Sequence, residues 1–116
     1  MTITTTSINL TAMRMSYHAQ YERKARITNC INTLGMGDVV FVTKSIKQKM
    51  PGYVVECVTS TGLVFVVDLE KNMIITAYLG TIRHLSGLYR GAGYQRIPNH
   101  IYKMVRYNEM NYGYLI

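Results

Sequence analysis

The chain has 116 residues, 48% of them hydrophobic, which is enough for one domain with a modest core and excludes a disordered chain. No apolar run approaches the roughly eighteen residues of a membrane-spanning helix, so we expect no contact with a membrane. Thirteen basic residues against six acidic ones give a net charge of +7, which favours a polyanionic partner or an acidic protein surface. The alternative is that the charge only keeps the protein soluble, but the ten tyrosines suit base stacking and favour RNA.

The N-terminal part of the chain is predicted to contain an arm and one helix. Residues 1–12 have neither the basic region nor the continuous apolar region of a secretory signal, and we expect an extended arm or an edge strand. Residues 13–34 lack helix breakers and are predicted to form one helix that ends at Gly35. Its second half carries an apolar stripe at helical spacing, which comprises Ile27, Cys30, Ile31 and Leu34.

The middle of the chain, residues 38–85, is predicted to form an antiparallel sheet. Four strand-like runs occupy residues 38–43, 53–59, 63–69 and 73–79. Short turns separate the last three runs, and loops this short join only antiparallel neighbours. The run at 63–69 is apolar on both faces, which indicates a central strand covered on each side. Residues 81–85 fit either a further strand or an irregular segment.

The last part of the chain, residues 97–112, is predicted to form a helical tail. Together these elements predict a single domain of the α+β class. In it an N-terminal helix packs on a four-stranded antiparallel meander sheet, and a C-terminal helical tail follows.

Two cysteines, Cys30 and Cys57, lie in apolar periodic segments, and their spacing matches no zinc-binding pattern. We expect them to be buried free thiols in a reducing cytoplasm.

The N-terminal helix carries a candidate for proton transfer. His18, Glu22 and Arg26 recur at steps of four, which places them on a single helix face, and Arg23 and Lys24 flank them. A histidine is suited to proton transfer near neutral pH, and the neighbouring cations suit a phosphate group. The alternative is a solvated helix face with a Glu-to-Arg pair.

The last strand of the meander carries two hydroxyl groups. The period of two places Ile74, Thr76 and Tyr78 on one face, and Met73, Ile75, Ala77 and Leu79 on the other. Thr76 and Tyr78 are suited to donate hydrogen bonds to a phosphate or to its developing oxyanion. The alternative is that both are simply good strand formers on a half-wet face.

A second imidazole follows this strand. Arg83 and His84 either complete a site with Thr76 or form a surface pair on a connecting loop. Arg90, in the glycine-rich segment beyond them, either holds a substrate strand or packs against the sheet.

The order of these features resembles the barnase–EndoU–colicin–RelE superfamily of metal-independent ribonucleases. Many of its toxin and phage members carry a strand that reads apolar-apolar-Thr-Ala-Tyr, which residues 74–78 match. The resemblance implies that Thr76 lies in an active centre to which an upstream histidine, His18, and an upstream cation, Lys44 or Lys47, contribute. Leu79 departs from the pattern, since proline often follows the Thr-Ala-Tyr sequence in this superfamily.

The resemblance implies cleavage of RNA by attack of a ribose 2′-OH on its own phosphate, without a metal or other cofactor. The six scattered carboxylates agree, because none forms the paired cluster of magnesium-dependent nucleases. The implied catalytic residues are His18, Lys47, Thr76 and Tyr78. The implied nucleic-acid contacts are Arg23, Lys24, Arg26, Lys44, Arg83, His84 and Arg90.

The expected partners are RNA or another nucleic acid, together with an antitoxin or an acidic host protein in the cytoplasm of a bacterial cell. The alternative is a non-catalytic, phage-encoded inhibitor or regulator that binds nucleic acid or an acidic host protein. The two hypotheses differ in one respect. A ribonuclease needs an imidazole, the threonine and a cation around one concavity, whereas a binding protein needs only a continuous basic face.

Overall fold

The computed structural model describes residues 8–44, 54–91 and 96–115. Within these residues the chain forms a mixed five-stranded sheet with helices on both faces. The strands are β1 (Arg14–Met15), β2 (Val39–Lys44), β3 (Val54–Thr59), β4 (Leu63–Asp68) and β5 (Met73–Leu79). They lie side by side in the order β1-β5-β4-β3-β2.

The predicted antiparallel meander is confirmed for β2 to β5, which are antiparallel neighbours in chain order. Gly62, with a φ of +90°, lies in the turn between β3 and β4. Asn72, with a φ of +52°, lies in the turn between β4 and β5. In that turn the amide of Lys71 donates a 2.9 Å hydrogen bond to the carboxylate of Asp68. Left-handed backbone at these positions reverses the chain within a few residues.

The prediction of four strands is wrong in one respect, because β1 adds a fifth strand that runs parallel to β5. Its partners on β5 are Met73 and Ile74. The amide of Ser16, just past β1, donates a 2.8 Å hydrogen bond to the carbonyl of Ile74. These backbone bonds are nonlocal, so no periodicity within the N-terminal segment indicates them.

The predicted helix over residues 13–34 is therefore present only in part. After β1 the chain makes a π-helical turn (His18–Glu22), and the regular helix α1 (Lys24–Leu34) follows. The predicted stripe of α1 is confirmed, since Ile27 and Cys30 are buried and the other two members are partly buried against the core. Of the predicted extended arm, residues 1–7 lie outside the described residues, and Leu10–Ala12 forms a 3₁₀ turn instead.

Two helices cover the second face of the sheet, α2 (Ile82–Gly91) and α3 (Asn99–Tyr112). On the first face α1 packs against a cluster that includes Cys57, Phe65, Ala77 and Leu79. On the second face α2 and α3 place Leu85, Leu88, Ile101 and Val105 against Phe41, Val58 and Val64. Every residue of β4 is buried, which confirms the prediction of a central strand covered on both sides. Both cysteines are free and buried, as predicted.

Helix α2 occupies the segment that the sequence pattern left between strand and irregular structure. Its first turn is capped, because Thr81 Oγ1 accepts a 3.1 Å hydrogen bond from the amide of His84. The amide of Ile82 donates to the carboxylate of Glu109 on α3, which ties the two helices together. The predicted C-terminal helix is present as α3. Among the described residues, no helix combines the length and the apolar character needed to cross a bilayer.

Candidate functional site

A β-bulge in β5 decides which side chains face α2. Val66 of β4 pairs with Thr76, whereas the next residue, Val67, pairs with Ile74, so Ile75 is an extra residue. Ile74 packs in the cluster beneath α1, together with Ala77 and Leu79, whereas Tyr78 packs on the side of α2 and α3. The predicted common face of Ile74, Thr76 and Tyr78 is therefore wrong for Ile74. Thr76 and Tyr78 do share a face, because they lie beyond the bulge.

The bulge is held by Ser16, which also starts the turn that carries His18. The hydroxyl of Ser16 donates a 2.8 Å hydrogen bond to the carbonyl of Ile75. The same oxygen accepts a 3.0 Å hydrogen bond from the amide of Ala19, in the manner of a helix N-cap. One buried side chain therefore fixes the histidine-bearing turn to the part of β5 that carries Thr76.

Beyond β1 the outer edge of β5 has no strand partner among the described residues, since β1 pairs only with Met73 and Ile74. Helix α1 packs beneath this edge, and one of its side chains reaches around it. Nη2 of Arg26 donates a 2.9 Å hydrogen bond to Oγ1 of Thr76. A guanidinium from one face of the sheet thus meets a hydroxyl from the other face.

These side chains surround a hollow of about 340 Å³, which we call the edge hollow. Its walls are His18, Arg26, Thr76, Tyr78, Leu79, Thr81 and His84. Five of the seven are residues that the sequence singled out, and they come from the π-helical turn, α1, β5 and α2. The structure thus brings both candidate imidazoles, one cation and the hydroxyl pair to one concavity.

Arg26 is half-buried and has no carboxylate partner among the described residues. Its Nε is enclosed without a hydrogen-bond acceptor in the part of the chain that the structure describes. Burial, and then the positive charge of Arg23, lower the pKa of Arg26 from its ordinary value. A bound anion would raise the pKa of Arg26 again, because its negative charge would stabilise the protonated guanidinium that burial and Arg23 destabilise.

A hydrogen-bonded network of three residues forms the floor on the α2 side. The hydroxyl of Tyr78 donates to Oε1 of Glu56 over 2.6 Å, and Nε2 of His84 lies 2.5 Å from that hydroxyl and 3.2 Å from Oε1. The hydroxyl gives its one proton to the carboxylate, so the contact with His84 requires a proton on Nε2. Burial, followed by the hydrogen bond to Glu56, raises the pKa of Tyr78 above its ordinary value.

Glu56 is the member of this network that the sequence analysis missed. It is fully buried, and a buried carboxylate is costly unless it is hydrogen-bonded or paired. Its position could have indicated a buried role, because Glu56 is the one charged residue within the apolar run Val54–Thr59.

His18 lies at the mouth of the edge hollow. Its Nδ1 is 2.8 Å from Oε2 of Glu22, and the two side chains are 40% and 58% exposed. Nε2 of His18 has no hydrogen-bond partner in the described segments, so it remains available to a ligand. The alternative of a Glu22–Arg26 pair is wrong, because Glu22 contacts His18 while Arg26 contacts Thr76.

The other predicted contact residues do not line the edge hollow. All five are exposed. Arg23 and Lys24 lie at the start of α1, Lys44 ends β2, and Arg83 and Arg90 lie on α2. Lys44 belongs to β2, at the opposite edge of the sheet from β1. The predicted catalytic Lys47 lies outside the described residues.

In the described part of the chain, no three His, Cys, Asp or Glu side chains gather closely enough to hold a metal ion. Comparisons with family models, with curated proteins and with solved structures found no match to this chain.

Proposed function

We propose that this protein binds RNA and cleaves it at the edge hollow, as an endoribonuclease that relies on side chains alone. One observation carries the proposal. Two imidazoles, a threonine hydroxyl and a guanidinium that has no carboxylate partner among the described residues line the same concavity. A phosphodiester needs such a set, because its cleavage requires two proton transfers and stabilisation of added negative charge.

In the proposed reaction, His18 removes the proton from a ribose 2′-OH through Nε2. The 2′-oxygen then attacks the adjacent phosphorus and the bond to the 5′-oxygen breaks. His84 gives a proton to the departing 5′-oxygen, so the products are a 2′,3′-cyclic phosphate and a free 5′-hydroxyl. Glu56, 3.2 Å from Nε2 of His84, stabilises the protonated imidazole before that transfer.

Arg26 and Thr76 stabilise the phosphorane in this scheme. The hydrogen bond from Arg26 occupies a lone pair of the threonine oxygen, which leaves the hydroxyl proton of Thr76 for a phosphate oxygen. Tyr78 has the separate task of positioning His84, because its own proton is engaged by Glu56. A fixed hydrogen-bond donor to the phosphorane, such as Arg26 or Thr76, typically contributes about 100-fold or more to the rate.

A second candidate function is a nucleic-acid binder that does not cleave. It is favoured by the internal bonding of the catalytic candidates, since Glu56 engages Tyr78 and His84, and Glu22 contacts His18. In that case the edge hollow holds a phosphate through Arg26 and Thr76, and the imidazoles serve only to shape it.

Cleavage of total RNA in the presence of EDTA tests the first proposal, with detection of 2′,3′-cyclic phosphate ends. We expect Arg26→Ala and His18→Ala each to lower the rate about 100-fold. The matched controls are Arg83→Ala and His100→Ala, which remove an exposed arginine and an exposed histidine outside the edge hollow. Both controls should cleave within about twofold of the unaltered protein.

Binding to RNA with 2′-O-methyl groups, which lack the attacking hydroxyl, separates the two functions. A protein that binds this RNA through Arg26 but never cleaves the natural form is the non-cleaving binder. If Arg26→Ala and His18→Ala leave both cleavage and binding unchanged, neither function belongs to the edge hollow.

A further inference from the structure

Two tyrosines beside the edge hollow remain exposed to solvent. Tyr17 and Tyr21 are 72% and 68% exposed, although each carries a large aromatic ring. The rings lie against one another, with centroids 4.7 Å apart and planes inclined by 37°. This mutual contact orients the two rings relative to each other, and the exposed fractions leave most of each side chain accessible to a ligand.

The pair shares its turn with the proposed base. Tyr17 directly precedes His18, and Tyr21 directly precedes Glu22, whose carboxylate contacts that histidine. Tyr21 also forms a wall of a second hollow, of about 290 Å³, together with Met15 and Lys24. A flat group stacked on Tyr21 would therefore have a recess and a cation beside it.

The charge of this surface suits a polyanion. The segment from residue 14 to residue 26 carries four cations against one carboxylate, and that carboxylate is already engaged by His18. The cations are Arg14, Arg23, Lys24 and Arg26, of which the first three are exposed. Cations and exposed aromatic rings together are the usual means of holding single-stranded nucleic acid.

We propose that the substrate is single-stranded RNA, and that its bases stack on the Tyr17–Tyr21 pair while an adjoining phosphate occupies the edge hollow. This inference rests on the proposed function for the role of that phosphate. Duplex RNA buries its base faces within the helix, so it offers the tyrosines nothing to stack on. An acidic protein would use the cations but would have no need of two open phenol faces.

Fluorescence anisotropy with an oligouridine of about ten nucleotides, protected by 2′-O-methyl groups, measures this binding without cleavage. We expect the double variant Tyr17→Ala/Tyr21→Ala to bind the single strand at least about tenfold more weakly. Its affinity for a 2′-O-methyl duplex of equal length should change by less than about twofold. The double variant Tyr17→Phe/Tyr21→Phe keeps the ring faces and should bind like the unaltered protein.

Tyr107→Ala is the matched control. Tyr107 is 58% exposed and follows a basic residue, Arg106, on α3. It therefore resembles Tyr17 and Tyr21 in exposure and in having a basic residue nearby, but it lies on a different helix. Its replacement should leave both affinities unchanged. A measurement on the unaltered protein needs no variant: an abasic oligomer of the same length should bind about tenfold more weakly than oligouridine.

Equal binding of the abasic oligomer and oligouridine would overturn the inference. So would a double alanine variant that binds as tightly as the unaltered protein, or that weakens equally toward single strand and duplex. Failure of the proposed function is distinguishable, because it shows either as no cleavage of natural RNA or as cleavage that Arg26→Ala leaves unchanged. The binding measurements use RNA that cannot be cleaved, so they do not depend on that result.

Discussion

Ser16 provides the sharpest test of how the edge hollow is assembled. The side chain is only 8% exposed, and its hydroxyl makes two hydrogen bonds, one to the carbonyl of Ile75 and one from the amide of Ala19. Replacement by alanine removes both and leaves a bulge carbonyl and a helix amide without their partner. Loss of a helix cap typically costs about 1 kcal/mol, and loss of a buried hydrogen bond costs about the same.

We therefore expect Ser16→Ala to lower the free energy of unfolding by about 2 kcal/mol, which is roughly 8 °C in Tm for a chain of this size. Urea unfolding followed by circular dichroism measures the change. Cleavage by the folded variant should also fall about tenfold, because the turn that carries His18 then keeps only its backbone hydrogen bond to β5 and is positioned less precisely.

Ser86→Ala is the matched control. Ser86 lies within α2 and its hydroxyl bonds back to the carbonyl of Ile82, a contact that contributes little to helix stability. Its replacement should change the free energy of unfolding by less than about 0.5 kcal/mol. If the two serine variants are equally stable, Ser16 does not hold the bulge and the proposed assembly of the edge hollow is refuted.

Two further predictions concern the sheet. A Cβ at Gly62 would lie 2.4 Å from Nδ2 of Asn108, at a φ of +90°, so Gly62→Ala should cost about 3 kcal/mol or more in urea unfolding. Gly113→Ala, where no atom of the described residues lies within 4 Å of the added carbon, should be neutral within about 0.5 kcal/mol. Equal losses in the two variants would contradict the argument. Burial raises the pKa of Cys57 from 9.0 to about 12, so the unfolded chain releases this proton first as the pH rises. The stabilisation by the protonated Cys57 is complete below pH 9 and is lost toward pH 12. Between pH 9 and 10.5 the free energy of unfolding of the unaltered protein should therefore fall by roughly 1 kcal/mol per pH unit more than that of Cys57→Ala. Equal slopes in the two proteins would refute the assignment.

The helix α2 shows where a sequence signal was present but outweighed. Ile82, Leu85 and Leu88 recur at steps of three, and Thr81 precedes them as an N-cap, which together indicate a helix. Gly87 within the segment lowers helix propensity by roughly 1 kcal/mol relative to alanine and obscured that pattern. Packing of Leu85 and Leu88 against the sheet supplies the stability that local propensity lacks.

The sequence predicted most residues of the candidate site but not the contacts between them. The sequence singled out His18, Thr76 and Arg26 separately, from helical spacing and from a strand motif. It predicted no contact of Arg26 with Thr76 and overlooked Glu56 beneath Tyr78. Both contacts join elements that are far apart in the chain. The spacing of residues within one element does not indicate which residues of another element they contact.

What the sequence determined by itself is the meander from β3 to β5, because its short turns leave antiparallel pairing as the one arrangement the chain can reach. The apolar stripe of α1 was determined in the same way, by a period that a single helix face imposes. The tertiary structure alone decided the face of Ile74 relative to Thr76. Ile74 lies on the opposite face from Thr76 and Tyr78 because Ile75 bulges, and the carbonyl of Ile75 meets Ser16, fifty-nine residues away, only when β1 pairs with β5. Strand alternation is a local rule, and one extra residue held by a distant hydroxyl is enough to reverse it.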